Sequence, residues 1–264
     1  NGYVYVHVDV RGRGNSEGEF FPLEKDGADG AQVVQWIAKQ PWCNGKVGMR
    51  GGSYRGMVQW QTLKHFPPAL KTIIPTAAAA PGVDFPMPHN IFVSYDAQWL
   101  GFTLSKTKNT TLFADQEYWL EKFYRLYSRH LPFAKLAEMT GSNTKIFERW
   151  LAHPYFDRYW QGMTFPDKSY EKIDIPVLTI TGHFDGDQPG AMHYYRKHMR
   201  FGKEDIKNKH YVIIGPWDHG GTRHPQKELG GLVFDDNAVL NMEQLHLEWY
   251  DWILKGKTKP TFLK

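Results

Sequence analysis

The sequence predicts an α/β protein, a mostly parallel sheet covered by helices on both faces, with a helical segment inserted part-way along. Three observations lead there. Apolar, β-branched runs of strand length alternate with longer helical patterns. A glycine-rich turn carrying a serine sits at one strand-to-helix junction. Between about residues 77 and 172 the alternation stops, and aromatic rings crowd a stretch with no clear parallel strand.

Taken in order, residues 3–10 alternate in the manner of a strand and end in Arg11-Gly12-Arg13-Gly14-Asn15-Ser16-Glu17-Gly18. This loop has G-x-G without the third glycine of a dinucleotide fingerprint, and no phosphate-loop lysine follows, so it gives nucleotide binding little support. Residues 26–40 are expected to form a helix, with acids near its start and Val33, Trp36 and Ile37 on one face. Strands are expected at 46–50 and 70–76, with a helix at 57–64 between them. In the aromatic stretch, helices are expected at 116–129 and 144–151. Its rings, among them Trp99, Trp119, Trp150 and Trp160, either line an apolar substrate pocket under a lid or build the insertion's own core. Strands follow at 175–182 and 210–216, then a helix at 241–254 with Leu245, Trp249 and Trp252 on or near one face. The expected division is 1–76, first part of the core; 77–172, helical cap; 173–264, second part of the core.

The chemistry centres on Gly51-Gly52-Ser53-Tyr54-Arg55-Gly56, between the strand at 46–50 and the helix at 57–64. A serine held among glycines at such a junction has the setting of a nucleophile elbow. The tight turn pushes the hydroxyl clear of the sheet, and backbone N–H groups at the helix start can receive an oxyanion. The usual G-x-S-x-G is shifted, since Arg55 stands at the second glycine and Gly56 comes one place later. Such a serine needs an orienting acid and a base, later in the chain and in that order, each just past a strand. The strand at 175–182 runs into His183-Phe184-Asp185-Gly186-Asp187, and the strand at 210–216 into Trp217-Asp218-His219-Gly220. Asp187 rivals Asp185 as the orienting acid, whereas Asp218 reads as a loop residue because adjacent side chains rarely face each other. Asp185-Gly186-Asp187-Gln188-Pro189-Gly190 opens like a calcium loop, but Arg196 stands where a bidentate Glu is needed. His183, His193, His198, His210, His219 and His224 lack metal-ligand spacing, so no metal is expected.

Composition narrows the classes further. Lys and Arg number 32 against 28 acids, with no basic run, which gives nucleic-acid binding little support. The single cysteine, Cys43, excludes an internal disulfide and reads as structural. No apolar run approaches the roughly 18 residues of a membrane span. A soluble chain is expected, cytoplasmic or exported. It opens with Asn1 and enters a predicted strand at once, so an N-terminal part is expected to be missing.

Together these motifs resemble the CocE/NonD (cocaine esterase-like) serine hydrolases and their relatives, the Xaa-Pro dipeptidyl-peptidases and α-amino acid ester hydrolases. The resemblance rests on Asp9-Val10-Arg11-Gly12-Arg13-Gly14 with Ser16-Glu17-Gly18-Glu19-Phe20, on Pro41-Trp42-Cys43-Asn44-Gly45-Lys46-Val47-Gly48-Met49, and on the elbow, where the family pattern is G-x-S-Y-x-G. Gly182-His183-Phe184-Asp185 is similar to its acid loop, which favours Asp185 over Asp187, and Gly215-Pro216-Trp217-Asp218-His219 to its G-P-W-x-H. The resemblance implies an α/β-hydrolase fold with a helical cap, lacking the family's earlier strands and its C-terminal β-sandwich. An oxyanion-hole tyrosine of the family lies on those earlier strands, so the second oxyanion donor is not identified.

The expected activity is cleavage of an ester, amide or short peptide through an acyl-enzyme. Ser53 is the nucleophile, His219 the base, Asp185 the orienter, and the Tyr54 backbone N–H one oxyanion donor. No cofactor, nucleic acid or membrane is called for, and a homo-oligomer is left open. Two alternatives stand beside it. One is an Xaa-Pro dipeptidyl-peptidase, whose ammonium anchor could be an acid such as Asp84 or Glu121. The other is a hydrolase-fold protein that only binds.

Overall fold

A computed structural model of the chain describes residues 1–263. In chain order the elements are α1 (Asp26–Ala38), β1 (Val47–Gly52), α2 (Tyr54–Leu63), β2 (Leu70–Thr76), α3 (Tyr95–Phe102), α4 (Thr110–Ala114), α5 (Gln116–Ser128), α6 (Lys135–Thr140), α7 (Thr144–Leu151), α8 (Arg158–Met163), β3 (Val177–Gly182), α9 (Gln188–Phe201), α10 (Glu204–Lys207), β4 (His210–Gly215), β5 (Glu228–Leu229), β6 (Leu232–Val233) and α11 (Met242–Lys255). The chain separates into two compact units. Residues 1–5, 23–85 and 163 onward make the first, and residues 6–22 and 86–162 the second.

The first unit holds one sheet of four parallel strands in the order β1-β2-β3-β4, the core of an α/β-hydrolase fold. Side chains alternate across these strands, so adjacent residues enter opposite cores. On one face Ile73 and Val177 pack with Val34, Trp60, Leu63, Tyr170 and Tyr194. Here α2 and α9 meet through the stacked rings of Trp60 and Tyr194, 4.6 Å apart. On the other face Ile74, Leu178 and Ile180 pack with Trp217 and with Met242, Leu245 and Trp249 of α11. Buried on both faces, the central strands β2 and β3 have to be the near-continuous apolar runs seen in the sequence, whereas the edge strands β1 and β4 leave Arg50 and Ile214 exposed. Trp249 Nε1 donates to Thr72 Oγ1 at 2.8 Å, and that hydroxyl donates onward to Pro176 O at 2.9 Å, so the buried indole N–H and threonine hydroxyl at this contact are both satisfied.

Two sequence expectations are corrected. Residues 3–10 are not a strand: they enter no ladder among the described residues, and Val4, Tyr5 and Val8 are exposed. Alternation makes a strand only where a neighbour pairs its backbone groups. In α1 the residues most deeply buried are Gly27, Ala31 and Val34 rather than Val33 and Trp36; Ile37 packs partly buried against the same core, as expected, and Trp36 is exposed. A Cβ on Gly27 would lie 2.5 Å from Gln61 O, and one on Gly30 2.1 Å from Thr62 Oγ1. The helix therefore sits on α2 through its smallest residues, an approach that its large ones would block. Trp36 instead meets Trp42 edge-on at 6.4 Å. Cys43 is a half-buried free thiol packed at the edge of the first core, as a structural cysteine would be.

The second unit is helical. Trp119, Trp150 and Trp160 are almost wholly buried in it, and Trp150 lies 6.2 Å from both Trp99 and Trp160. Asn109, Asp115 and Asn143 cap α4, α5 and α7 by accepting from backbone N–H groups of the first turn. Tyr124, Tyr127 and Tyr155 are exposed, so these tryptophans, not the tyrosines, build this unit's core. Among the described residues no helix is long and apolar enough to cross a membrane.

Candidate active site

Parallel strands in register bring their C-terminal ends to one edge. Gly52 pairs with Thr76, Thr76 with Ile180, and Gly182 with Gly215. The residues immediately beyond β1, β3 and β4 therefore share that edge, and they include Ser53, Asp185 and His219.

Ser53 follows β1 directly and is the N-cap of α2, with φ 63° and ψ −129°. An L-residue reaches this region only under strain, which the surroundings must hold. Ser53 N donates to Thr76 O at 2.9 Å, while Ser53 O accepts from Gly56 N and Met57 N to open the helix. The shifted glycine has a steric cause: a Cβ on Gly56 would come within 2.8 Å of Ala78 Cβ and 2.9 Å of Thr76 O. Position 56, not 55, faces the end of β2, and Arg55 points to solvent. The Tyr54 hydroxyl donates to Asp26 Oδ2, which also accepts from Leu23 N at 2.8 Å, so the elbow is tied to the start of α1.

The acid and histidine loops are joined by backbone. His183 N donates to Gly215 O at 2.8 Å, and Phe184 N to Trp217 O at 3.0 Å. That closeness needs glycine at 182, because a Cβ there would lie 2.1 Å from Trp217 O. The Trp217 indole folds back over Gly215 and donates to Ala238 O at 2.8 Å. From this frame His219 Nδ1 meets Asp185 Oδ1 at 2.9 Å, and Asp187 Oδ2 lies 3.5 Å from the same nitrogen. Asp185 is fully buried at its side chain, and its Oδ1 also accepts from Asp187 N at 3.0 Å. Asp218 Oδ1 accepts from Gly221 N at 2.7 Å and so serves its own loop.

The structure thus brings Asp185 and Asp187 to His219, with Asp185 the nearer. It does not join Ser53 by a hydrogen bond to His219 among the described residues. The hydrogen bond that its Nδ1–H donates to Asp185 raises the His219 pKa above the usual histidine value; burial opposes this, and the charges of Asp187 and Asp185 add to it. Burial also raises Asp187, to about 6, although the histidine charge pulls it down. With Nδ1 engaged by carboxylate, Nε2 is the nitrogen left for proton transfer.

Among the described residues, Asp185, Asp187 and His219 are also a group that could hold a metal ion, their ligand atoms lying within 4.8 Å of one another. The calcium-loop reading does not survive, because residues from Gln188 onward form α9, a helix sequence reading had passed over. The two ammonium-anchor suggestions are answered in part. Asp84 Oδ1 and Oδ2 accept from Ala80 N and Gly190 N at 2.7 and 2.6 Å, so one oxygen holds its own loop after β2 and the other braces the start of α9. Burial lifts its carboxyl to about 8. Glu121 lies in the helical unit and pairs with Lys122 at 2.7 Å. A residue that sequence reading missed is Arg223, whose side chain lies against Gly52; its only local signal was its place four residues after His219.

Known proteins were compared with the chain. The model of the family described as X-Pro dipeptidyl-peptidase (S15 family) matches residues 1–221. The cocaine esterase of Rhodococcus sp. (strain MB1 Bresler) is 25% identical over 276 residues, covering 98% of this chain and 46% of that protein. Among solved structures, an α-amino acid ester hydrolase superposes with TM-score 0.74 at 24% identity, over 96% of this chain and 44% of that one. An aminopeptidase from a marine sediment archaeon (Thaumarchaeota archaeon) gives 0.71 at 22%, over 96% and 44%. These two likenesses speak for the fold. The chain spans about half the length of the curated relative it matches end to end.

Proposed function

The chain belongs to the X-Pro dipeptidyl-peptidase (S15) family, and from that membership and the site geometry we propose that it is a serine hydrolase cleaving an ester or amide through an acyl-enzyme. The observation that carries this reading is the buried Asp185 bonded to His219 at the sheet edge where the strained elbow presents Ser53. Ser53 Oγ attacks the carbonyl carbon while His219 Nε2 takes its proton. The tetrahedral intermediate collapses as the same nitrogen returns the proton to the leaving group, and water then repeats the sequence on the acyl-enzyme. Asp185 holds the imidazole in the tautomer with Nδ1–H and stabilises it once charged. The N–H of Tyr54, at the first position of α2, serves as one oxyanion donor, an interaction typically worth about 3–4 kcal/mol. The same reading assigns residues 1–76 and 173–264 to the catalytic core and 77–172 to a helical cap.

Esters are the first substrate class, in line with the cocaine esterase similarity along nearly the whole chain. The family description supports a second, removal of an Xaa-Pro dipeptide. The test uses the full-length protein and a panel of p-nitrophenyl esters, aminoacyl esters and Xaa-Pro amides. Ser53→Ala should lower kcat by several orders of magnitude and abolish labelling by a fluorophosphonate, with an unchanged circular dichroism spectrum. Activity within a few-fold of the parent would remove Ser53 from the mechanism.

A further inference from the structure

The acids around the elbow are already engaged, and its cations are not. Asp185 and Asp187 face His219, Asp218 bonds within its own loop, and Asp84 braces α9. Arg223, by contrast, makes no ion pair and no side-chain hydrogen bond among the described residues. Its guanidinium rests against Gly52, the residue before Ser53. A Cβ built there would lie 2.7 Å from one guanidinium nitrogen and 3.0 Å from Arg223 Cδ, so a side chain at 52 would push the group away. Arg55, two residues after Ser53, is exposed at the start of α2 and close enough for its charge to act on Arg223.

A half-buried guanidinium has surrendered part of its hydration, and without a paired anion that loss is uncompensated. Here burial and the like charge of Arg55 both disfavour the cation, against the individually weaker pull of Asp185, Asp187 and Asp218. An anionic ligand would supply the missing partner. The planar fork of Arg takes a carboxylate through two parallel hydrogen bonds, and the positive end of α2 favours the same charge. We propose that Arg223, assisted by Arg55, binds a carboxylate of the substrate, making this a hydrolase of esters or amides that carry a free carboxylate near the scissile carbonyl. The inference rests on the serine-hydrolase reading above. Gly52 is then the small residue that lets the guanidinium stand beside the nucleophile.

The test compares charged and neutral isosteres with the full-length protein, on the high-pH plateau. For the acyl side the pair is mono-p-nitrophenyl adipate and p-nitrophenyl hexanoate. For the leaving-group side it is 4-(carboxymethyl)phenyl acetate and 4-ethylphenyl acetate. We expect kcat/KM to favour the carboxylate by ~10–100-fold in one pair, which also says on which side the charge sits. Arg223→Gln should collapse that ratio to about threefold or less, and Arg223→Lys should leave it intermediate, because lysine keeps the charge without the fork. Arg55→Gln should lower it partially. An arginine that merely balanced the neighbouring acids would change both members of a pair alike. No preference in either pair, or a preference that Arg223→Gln leaves intact, overturns the inference. Circular dichroism reports folding, and if Arg223→Gln does not fold, Arg223→Lys and Arg55→Gln decide by the same ratio. Should no ester be cleaved and Ser53 resist the fluorophosphonate, the hydrolase reading fails separately. Thermal shift with adipate against 1,6-hexanediol then decides: adipate-specific stabilisation lost in Arg223→Gln supports the anion site, and none refutes it.

Discussion

Two carboxylates reach one imidazole nitrogen, so removing either should cost less than removing both. His219 Nδ1 lies 2.9 Å from Asp185 Oδ1 and 3.5 Å from Asp187 Oδ2. At equal dielectric Coulomb's law makes the second attraction about 0.8 of the first, from the ratio 2.9/3.5. Solvent widens the gap, because the Asp187 side chain is 24% exposed and that of Asp185 is 0%. In a triad with a single acid, Asp→Asn costs ~10⁴ in kcat. With Asp187 still able to hold Nδ1–H, Asp185→Asn should cost ~10²–10³, leaving about 1.4–2.8 kcal/mol of that stabilisation in place. Asp187→Asn alone should cost about tenfold or less, and the double variant should return to ~10⁴. The assay is kcat/KM for one p-nitrophenyl ester across the four proteins of this cycle, with circular dichroism to confirm folding. A larger loss for Asp187→Asn than for Asp185→Asn would exchange their roles. A double variant no worse than Asp185→Asn would show that Asp187 contributes nothing to the imidazole.

The pH profile should carry the same signature. His219 must be neutral to accept a proton and its pKa is raised, so kcat/KM should rise with pH through an ionisation above ~6.5. Asp187→Asn should move that limb to lower pH, and an unmoved limb would contradict the charge assignment. Dialysis against a chelator should leave kcat/KM unchanged, whereas a loss restored by zinc would make Asp185, Asp187 and His219 a metal site. Remote from the elbow, His198 and His210 face each other through Nδ1 at 2.9 Å, both buried. Burial pushes His198 down to about 4 and His210 well below the usual value. The unfolded chain takes up these protons near pH 6.5 and the folded one does not, so stability is full above that pH and falls as pH drops towards 4. Urea melts at pH 7.5 and 5.0 should differ by about 2 kcal/mol on account of His198 alone. His198→Phe should remove that share, and an unchanged difference would refute it.

Local sequence determined much of this protein. Apolar runs at β2 and β3 had to be buried strands, since no other element of that length hides such residues. Gly52, Ser53 and Gly56 had to form a tight strand-to-helix turn, since steric fit at Ala78 and Thr76 admits little else. Order along the chain then put an acid loop and a histidine loop past the ends of parallel strands. Where an outcome depended on a distant neighbour, the pattern misled. Residues 3–10 alternate as a strand does, yet a ladder needs a partner that alternation does not supply. The helix at 26–38 turned its smallest residues inward because the surface of α2 allowed a close approach, a fact written at Gln61 and Thr62. The choice between Asp185 and Asp187 was tertiary too. It rests on backbone hydrogen bonds between loops about thirty residues apart, which place the imidazole nitrogen 2.9 Å from Asp185 and 3.5 Å from Asp187. The approach of Arg223 to Gly52 is of the same kind: chemistry is encoded residue by residue, but distance is set only when separate segments pack.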